Sequence, residues 1–416
     1  MQKVKFRAAE RKVVISRPGE RYRRGSPVPQ PMTVPHFFAA LCLLAGFLSA
    51  VDAKTVRAFI LAGQSNMEGK AKNSLLDFQA TDDKTKEHYA HLRDDDGWIT
   101  RDDVFIKFLG RKGPLTVGYG SPGRTGLELE FGHAMGEHFD DPVVLIKAAW
   151  GGHSLSHNFR PPSAGDPGDG KPFGESYRNM MKEFNTVAED YKKLFPDLRG
   201  ADFELAGFVW FQGFNDQFGD SPGQYEDNMK HFINDIRRDL EKPELPFVIA
   251  CLGTNGSKPP GGNSKVVQDA QLAMNKVAEF KGNVKAFRTD ELIDKEAEKL
   301  FPTWKENTAQ WEKTGSDRPY HYYGSGIWYG RIGKTAGEAM LELLPDDDAK
   351  EGARRPTSRA PHVFRSADGS KSFKAVLIDY DPTTEIVRVR MPNLRISKFK
   401  IDVLSAEDQD YVRKAE

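Results

Sequence analysis

The sequence predicts an α/β fold, a parallel sheet with helices on both faces, followed by a small all-β barrel. Three observations predict it. Apolar runs at 56–61, 142–152 (PVVLIKAAWGG) and 207–216 (GFVWFQGFND) each stop on glycine or a small polar residue, as strands buried on both faces do. Helical periodicity separates such runs, since Tyr225, Met229, Phe232, Ile236 and Leu240 recur at three- and four-residue intervals before the next apolar strand at 246–252. Beyond a charged, proline-rich stretch at 345–361, residues 362–416 alternate short β patterns with turn signals at Asp368-Gly369 and Asp381-Pro382.

Taken from the start, residues 1–53 stand apart. Basic side chains crowd the stretch from Lys3 to Arg24, and HFFAALCLLAGFLSAVDA supplies an apolar core ending on Val51-Asp52-Ala53, a small-residue pattern suited to signal cleavage. The expectation is an export signal leading to a secreted or periplasmic protein, with an uncleaved membrane anchor as the alternative and Met32 as an internal start. The run is short for a membrane span. Cys42 falls inside it, which leaves Cys251 alone on the strand PFVIACLG, without an internal disulfide partner.

Residues 54–344 then form the main domain. Within it, 70–122 reads as a long polar insertion, a solvated loop or the lining of a cleft, 266–280 and 325–344 as helices, and 284–287 as a short strand. Lysine plus arginine and aspartate plus glutamate both number 60 in 416 residues, and no basic stripe carries interleaved aromatics, which excludes a nucleic-acid binder. No obligate protein partner follows from this balance.

The chemistry gathers at the strand ends. In FILAGQSNMEG, Ser65 stands directly after a strand, at the carboxyl edge where open α/β sheets place their ligands. A serine there also serves as a helix N-cap. Gly151-Gly152 ends the second run and exposes backbone N–H groups, and Asn215 ends the third with an amide donor, the parts an oxyanion hole requires. Far downstream, His321 lies in SDRPYHYYGSG with Asp317 four positions before it. A serine hydroxyl becomes a useful nucleophile when a neighbouring base takes its proton and a third group fixes that base's tautomer. The ten histidines form no metal frame: His133 and His138 are five apart, and His153 and His157 follow a glycine pair in a loop. No cofactor is expected.

With those residues in view, the chain resembles the SGNH hydrolases, in the branch that includes sialate O-acetylesterases and acetylxylan esterases. GQSNM matches the block carrying the nucleophile, AAWGG the backbone donor, GFND the asparagine block and HYYGSGIWYGRIG the histidine block, four ordered motifs over about 270 residues. The resemblance implies a three-layer, flavodoxin-like sheet. It also implies a triad of Ser65, His321 and Asp317, and an oxyanion hole of Ser65, Gly152 and Asn215. Gln64, His153 and Arg160 are expected to line the substrate cleft. One departure stands out, because the family's acid usually sits three residues before the histidine; Asp216 and Glu128 are the other candidates for that role. Residues 362–416 resemble an SH3-like module of secreted bacterial hydrolases, most clearly at 404–412. The order of the motifs excludes the α/β-hydrolase arrangement, whose nucleophile elbow reads G-x-S-x-G.

The expected function is a cofactor-free serine esterase removing O-acetyl groups from carbohydrates. A carbohydrate-binding protein that kept the scaffold without chemistry, and a lipase or thioesterase on the same fold, are the competing readings.

Overall fold

The computed structural model describes residues 55–345 and 362–414, apart from positions 255, 383 and 391–395. The expected leader, and the expected linker beyond its first residue, lie outside the described residues.

The main sheet has seven strands: β1 (Thr55–Gly63), β2 (Val104–Phe108), β3 (Arg111–Pro114), β4 (Val143–Ala149), β5 (Asp202–Phe211), β6 (Phe247–Cys251) and β7 (Val284–Arg288). Their spatial order is β7-β6-β5-β1-β4-β2-β3, parallel throughout except for the antiparallel edge strand β3. Setting aside β2 and β3, this is the doubly wound flavodoxin-like order. The chain reverses its direction of growth between β1 and β5, the switch point outside which such sheets bind ligands.

Side chains alternate along each strand, so both faces of the sheet are buried. Phe59, Leu61, Leu145 and Val209 pack on one face under α2 (Glu128–His138) and α6 (Gly326–Leu343). Ala58, Ile60, Ile146 and Trp210 pack on the other under α3 (Glu175–Leu194), α4 (Ser221–Asp239) and α5 (Gly262–Ala273). Each fully buried large apolar side chain contributes about 1.5–3 kcal/mol. Tyr225, Met229, Phe232 and Ile236 are the buried stripe of α4, with Leu240 packed at its edge.

Two expectations for the main domain are corrected. The polar insertion at 70–122 supplies β2 and β3 to the main sheet, because VFIKF is itself a buried strand whose polar flanks mask it. The helix expected over 266–280 begins earlier, at Gly262, and gives way after Ala273 to two short 3₁₀ turns.

The C-terminal part is a four-stranded antiparallel meander of β8 (His362–Arg365), β9 (Ser372–Asp381), β10 (Ile386–Arg390) and β11 (Ile396–Lys400). A single bridge between Ser366 and Leu404 returns the chain to its first strand. The closing stretch, read from sequence as β, is the helix α7 (Ala406–Lys414). Ser405 starts it: its hydroxyl accepts from the Asp408 N–H at 3.3 Å and donates to the Asp408 carboxylate at 2.8 Å, a capping arrangement. Phe364, Ala375, Leu377, Val387, Val389, Ile401, Leu404 and Val412 form this part's own core.

Candidate active site

Strand register builds the site. Gly63 pairs with Ala149 on one side and Phe211 on the other, so the turns after β1, β4 and β5 leave the sheet side by side. A Cβ on Gly63 would collide with the Phe211 carbonyl oxygen, and the missing side chain lets the first turn press against the third. Ser65 then opens α1 (Ser65–Glu68), a single helical turn, with 8% of its surface exposed.

His321 meets it from the far end of the domain, its Nε2 lying 3.0 Å from Ser65 Oγ. The turn that carries the imidazole is strained. Tyr322 and Tyr323 have φ of +52° and +57°, a left-handed conformation that costs of order 1–3 kcal/mol per non-glycine residue. Burial holds it in place: the Tyr322 hydroxyl accepts from the Gly253 N–H at 3.1 Å and shares a hydrogen bond with Thr289 Oγ1 at 2.9 Å, while its ring packs on Phe211 and Trp328. A Cβ at Gly324, φ +60°, would collide with Ser316 Oγ.

Burial lowers the His321 pKa, and Lys70 and Arg318 lower it further against a smaller opposing effect of Glu68, to about 4. The ring is therefore neutral at neutral pH. With Nε2 accepting from the serine hydroxyl, the proton sits on Nδ1, which is buried and has no hydrogen-bond partner among the described residues.

Asp317, expected to orient the imidazole, is engaged elsewhere. Its carboxylate is turned outward, accepting from Arg124 Nη2 at 2.9 and 3.1 Å and pairing with Lys72 at 3.3 Å. Burial would raise its pKa, but Arg124 and Lys72 outweigh that and hold it below the usual carboxylate range. The other two acids are also committed elsewhere. Asp216, fully buried, accepts from the Leu155 and Ser156 N–H groups at 2.8 Å and from Gln212 Nε2 at 2.5 Å, tying the turn after β5 to the loop after β4. Glu128 pairs with Lys147 at 2.7 Å, both completely buried, and Lys147 also donates to the Glu68 and Tyr119 carbonyls.

The glycine pair divides its labour. The Gly151 N–H donates to Glu68 Oε1 at 2.6 Å, and the other Glu68 oxygen takes Lys70 at 2.5 Å and Ser121 at 3.0 Å. That commitment leaves Gly152, at φ +81° and with open space where a Cβ would stand, as the candidate donor of this loop. Asn215 lies on the 3₁₀ turn at Phe214–Gln217, half-buried, and its Oδ1 accepts from Gln64 Nε2 at 3.0 Å.

The three expected cleft residues fare differently. His153 stays near the site, its Nδ1 2.6 Å from Ser176 Oγ and its ring stacked on Trp150. Arg160 does not serve the cleft: it is buried, donating to the carbonyls of Gly165, Ala164 and Ser156 and to Asn228. Gln64 is likewise buried, at 1% exposure, and its polar atoms face protein. Sequence reasoning passed over Glu68 and Tyr322. Glu68 could have been found three positions after the serine, one helical turn on.

The edge of an α/β sheet thus carries a serine hydroxyl in contact with a neutral imidazole, an arrangement capable of nucleophilic chemistry. A sequence model of the family described as "Carbohydrate esterase, sialic acid-specific acetylesterase" matches residues 55–302, more than half of the chain, and the chain belongs to that family. It is a carboxylic ester hydrolase. No curated protein matches it. Among solved structures it is similar to a protein from Arabidopsis thaliana at 17% identity, covering 70% of this chain and 100% of that one, TM-score 0.45. A carbohydrate acetylesterase from Xanthomonas citri is 12% identical over 77% of this chain and 62% of that one, TM-score 0.40. NanS is 13% identical over 57% and 78%, TM-score 0.36.

Proposed function

We propose that the protein is an exported O-acetylesterase of carbohydrates acting through an acetyl-enzyme on Ser65. The observation that carries this reading is the 3.0 Å contact between His321 Nε2 and Ser65 Oγ, with a ring kept neutral and able to accept a proton. Ser65 Oγ attacks the acetyl carbonyl as its proton passes to His321 Nε2. The oxyanion that forms is held by the Ser65 and Gly152 N–H groups and the Asn215 amide. The tetrahedral species collapses, breaking the bond to the sugar oxygen, which takes the proton from His321 and leaves as the free hydroxyl. Water then adds to the acetyl-enzyme as His321 takes a proton again, and acetate departs while Ser65 recovers its hydrogen.

In this reading serine and histidine work as a dyad, with Asp317 occupied by Arg124 and Lys72. The surround of the imidazole is basic, with Lys70, Lys72, Arg124 and Arg318 against Glu68 and Asp317. Such a surround suits an acetylated sugar that also carries a carboxylate, in keeping with the family's description. The basic and apolar leader supports export. The test is acetate release from acetylated sialic acid, xylan, pectin and simple sugars, run beside long-chain esters and Ser65→Ala. Release from at least one acetylated sugar, abolished in Ser65→Ala, is expected; preference for long-chain esters would contradict the substrate class.

A further inference from the structure

Gln64 contacts the asparagine that the proposed mechanism uses, yet it is buried away from any substrate. Its own orientation is fixed by groups that can only donate. Gln64 Oε1 faces the backbone N–H groups of Asn215 at 3.3 Å and Gly213 at 3.4 Å, and Gln212 Nε2 at 3.1 Å. A backbone N–H cannot exchange roles as a side-chain amide can, so the Gln64 oxygen must lie on that side and its NH₂ on the other. The NH₂ then meets Asn215 at 3.0 Å, and only an oxygen can receive it there. Asn215 is thereby held with Oδ1 inward and Nδ2 free to donate. Gln212 is in turn fixed, because its Oε1 accepts from the Tyr225 hydroxyl at 2.9 Å and its Nε2 also serves Asp216 and the His153 carbonyl.

We infer that Gln64 is a positioning residue that sets which end of the Asn215 amide faces the reacting carbonyl. Without it, an asparagine amide could turn over at little cost and present an oxygen to the developing oxyanion, converting a donor into a repulsive acceptor. The glutamine next to the nucleophile therefore has a task separate from the serine it precedes. This inference rests on the acyl-transfer reading for its kinetic consequence, but the amide orientation itself stands apart from activity.

Gln64→Glu keeps the shape and the accepting oxygen and, when ionised, replaces the donor by a second acceptor. At about pH 9, the top of the range to which burial raises a glutamate, the ionised carboxylate requires Asn215 to turn its NH₂ inward. The expected result is a fall in kcat of about 100- to 1000-fold, the loss typical of one oxyanion donor, with KM little changed. In the Asn215→Ala background the same substitution should cost nothing further, whereas a merely structural role would slow that variant again. Asparagine-selective ¹⁵N labelling reads the orientation directly: the Asn215 side-chain resonances, assigned by their disappearance in Asn215→Ala, should shift and gain exchange protection in Gln64→Glu. Unchanged kcat, additive losses or unmoved resonances would each overturn the inference. An inactive wild type with shifted resonances would instead overturn the proposed function and leave this one standing.

Discussion

At the scale of single residues, the His321 imidazole is neutral because it is buried among cations. Under the proposed mechanism activity needs that neutral form, so the acid limb of kcat/KM should fall near pH 4 instead of near an ordinary histidine value of about 6.5. The same depression has a stability consequence. The unfolded chain takes up the proton first, so stability contributed by this group is present above the unfolded value and is lost as the pH falls toward the folded one. A pH–rate profile beside a pH–melting series checks both. The outward Asp317 gives a second prediction. In a working triad, replacing the acid costs roughly 10⁴-fold in kcat, whereas Asp317→Asn should here cost less than about tenfold. The sequence places Ser65, Gly152 and Asn215 after strands and His321 before a helix; the structure sets the three strand ends side by side and brings His321 Nε2 to 3.0 Å from Ser65 Oγ. Asp317 and Arg160 were not legible. Their side chains are drawn to partners that only the folded chain supplies, Arg124 lying 193 positions from Asp317 and Asn228 lying 68 from Arg160.

At the scale of elements, two close contacts hold the site's supports. Lys147 on β4 and Glu128 at the start of α2 form a buried ion pair, and Lys147 also holds the carbonyl of Glu68 at the end of α1. Removing one partner strands a buried charge, so Glu128→Gln should destabilise the protein by about 3–5 kcal/mol in denaturant unfolding. Helices α2 and α6 cross through small residues: a Cβ at Gly337 would lie 2.6 Å from that of Ala134, and one at Gly333 would strike the Leu127 carbonyl. The collision at Gly333→Ala should therefore outweigh the roughly 1 kcal/mol that alanine gains over glycine within a helix, giving a net loss of stability. Melting curves read this, and a more stable variant would contradict the close crossing. The α6 and α4 helices could be read from their spacing. The strand at Val104–Phe108 could not, because four apolar residues interrupted by Lys107 and set amid polar neighbours carry too little periodicity. The capping serine at 405, with Asp408 three positions on, was a readable signal for α7 that the β-like pattern before it obscured.

At the scale of the whole molecule, the doubly wound order explains why motifs so far apart in sequence form one site. Strands β4 and β5 flank β1, and the chain's later half returns His321 to the same edge. The basic surround of that edge should be felt at long range. Raising salt from about 0.1 M to 1 M shortens the screening length from roughly 10 Å to 3 Å, so KM for a carboxylate-bearing acetylated sugar should rise while KM for a neutral one stays level. The central claim is that His321 activates Ser65, and the most direct measurement is covalent labelling by a fluorophosphonate followed by peptide mass analysis. The account predicts a mass increase on the Ser65 peptide of the native protein and none in His321→Ala. No label on the native protein, or equal labelling of both, would contradict it.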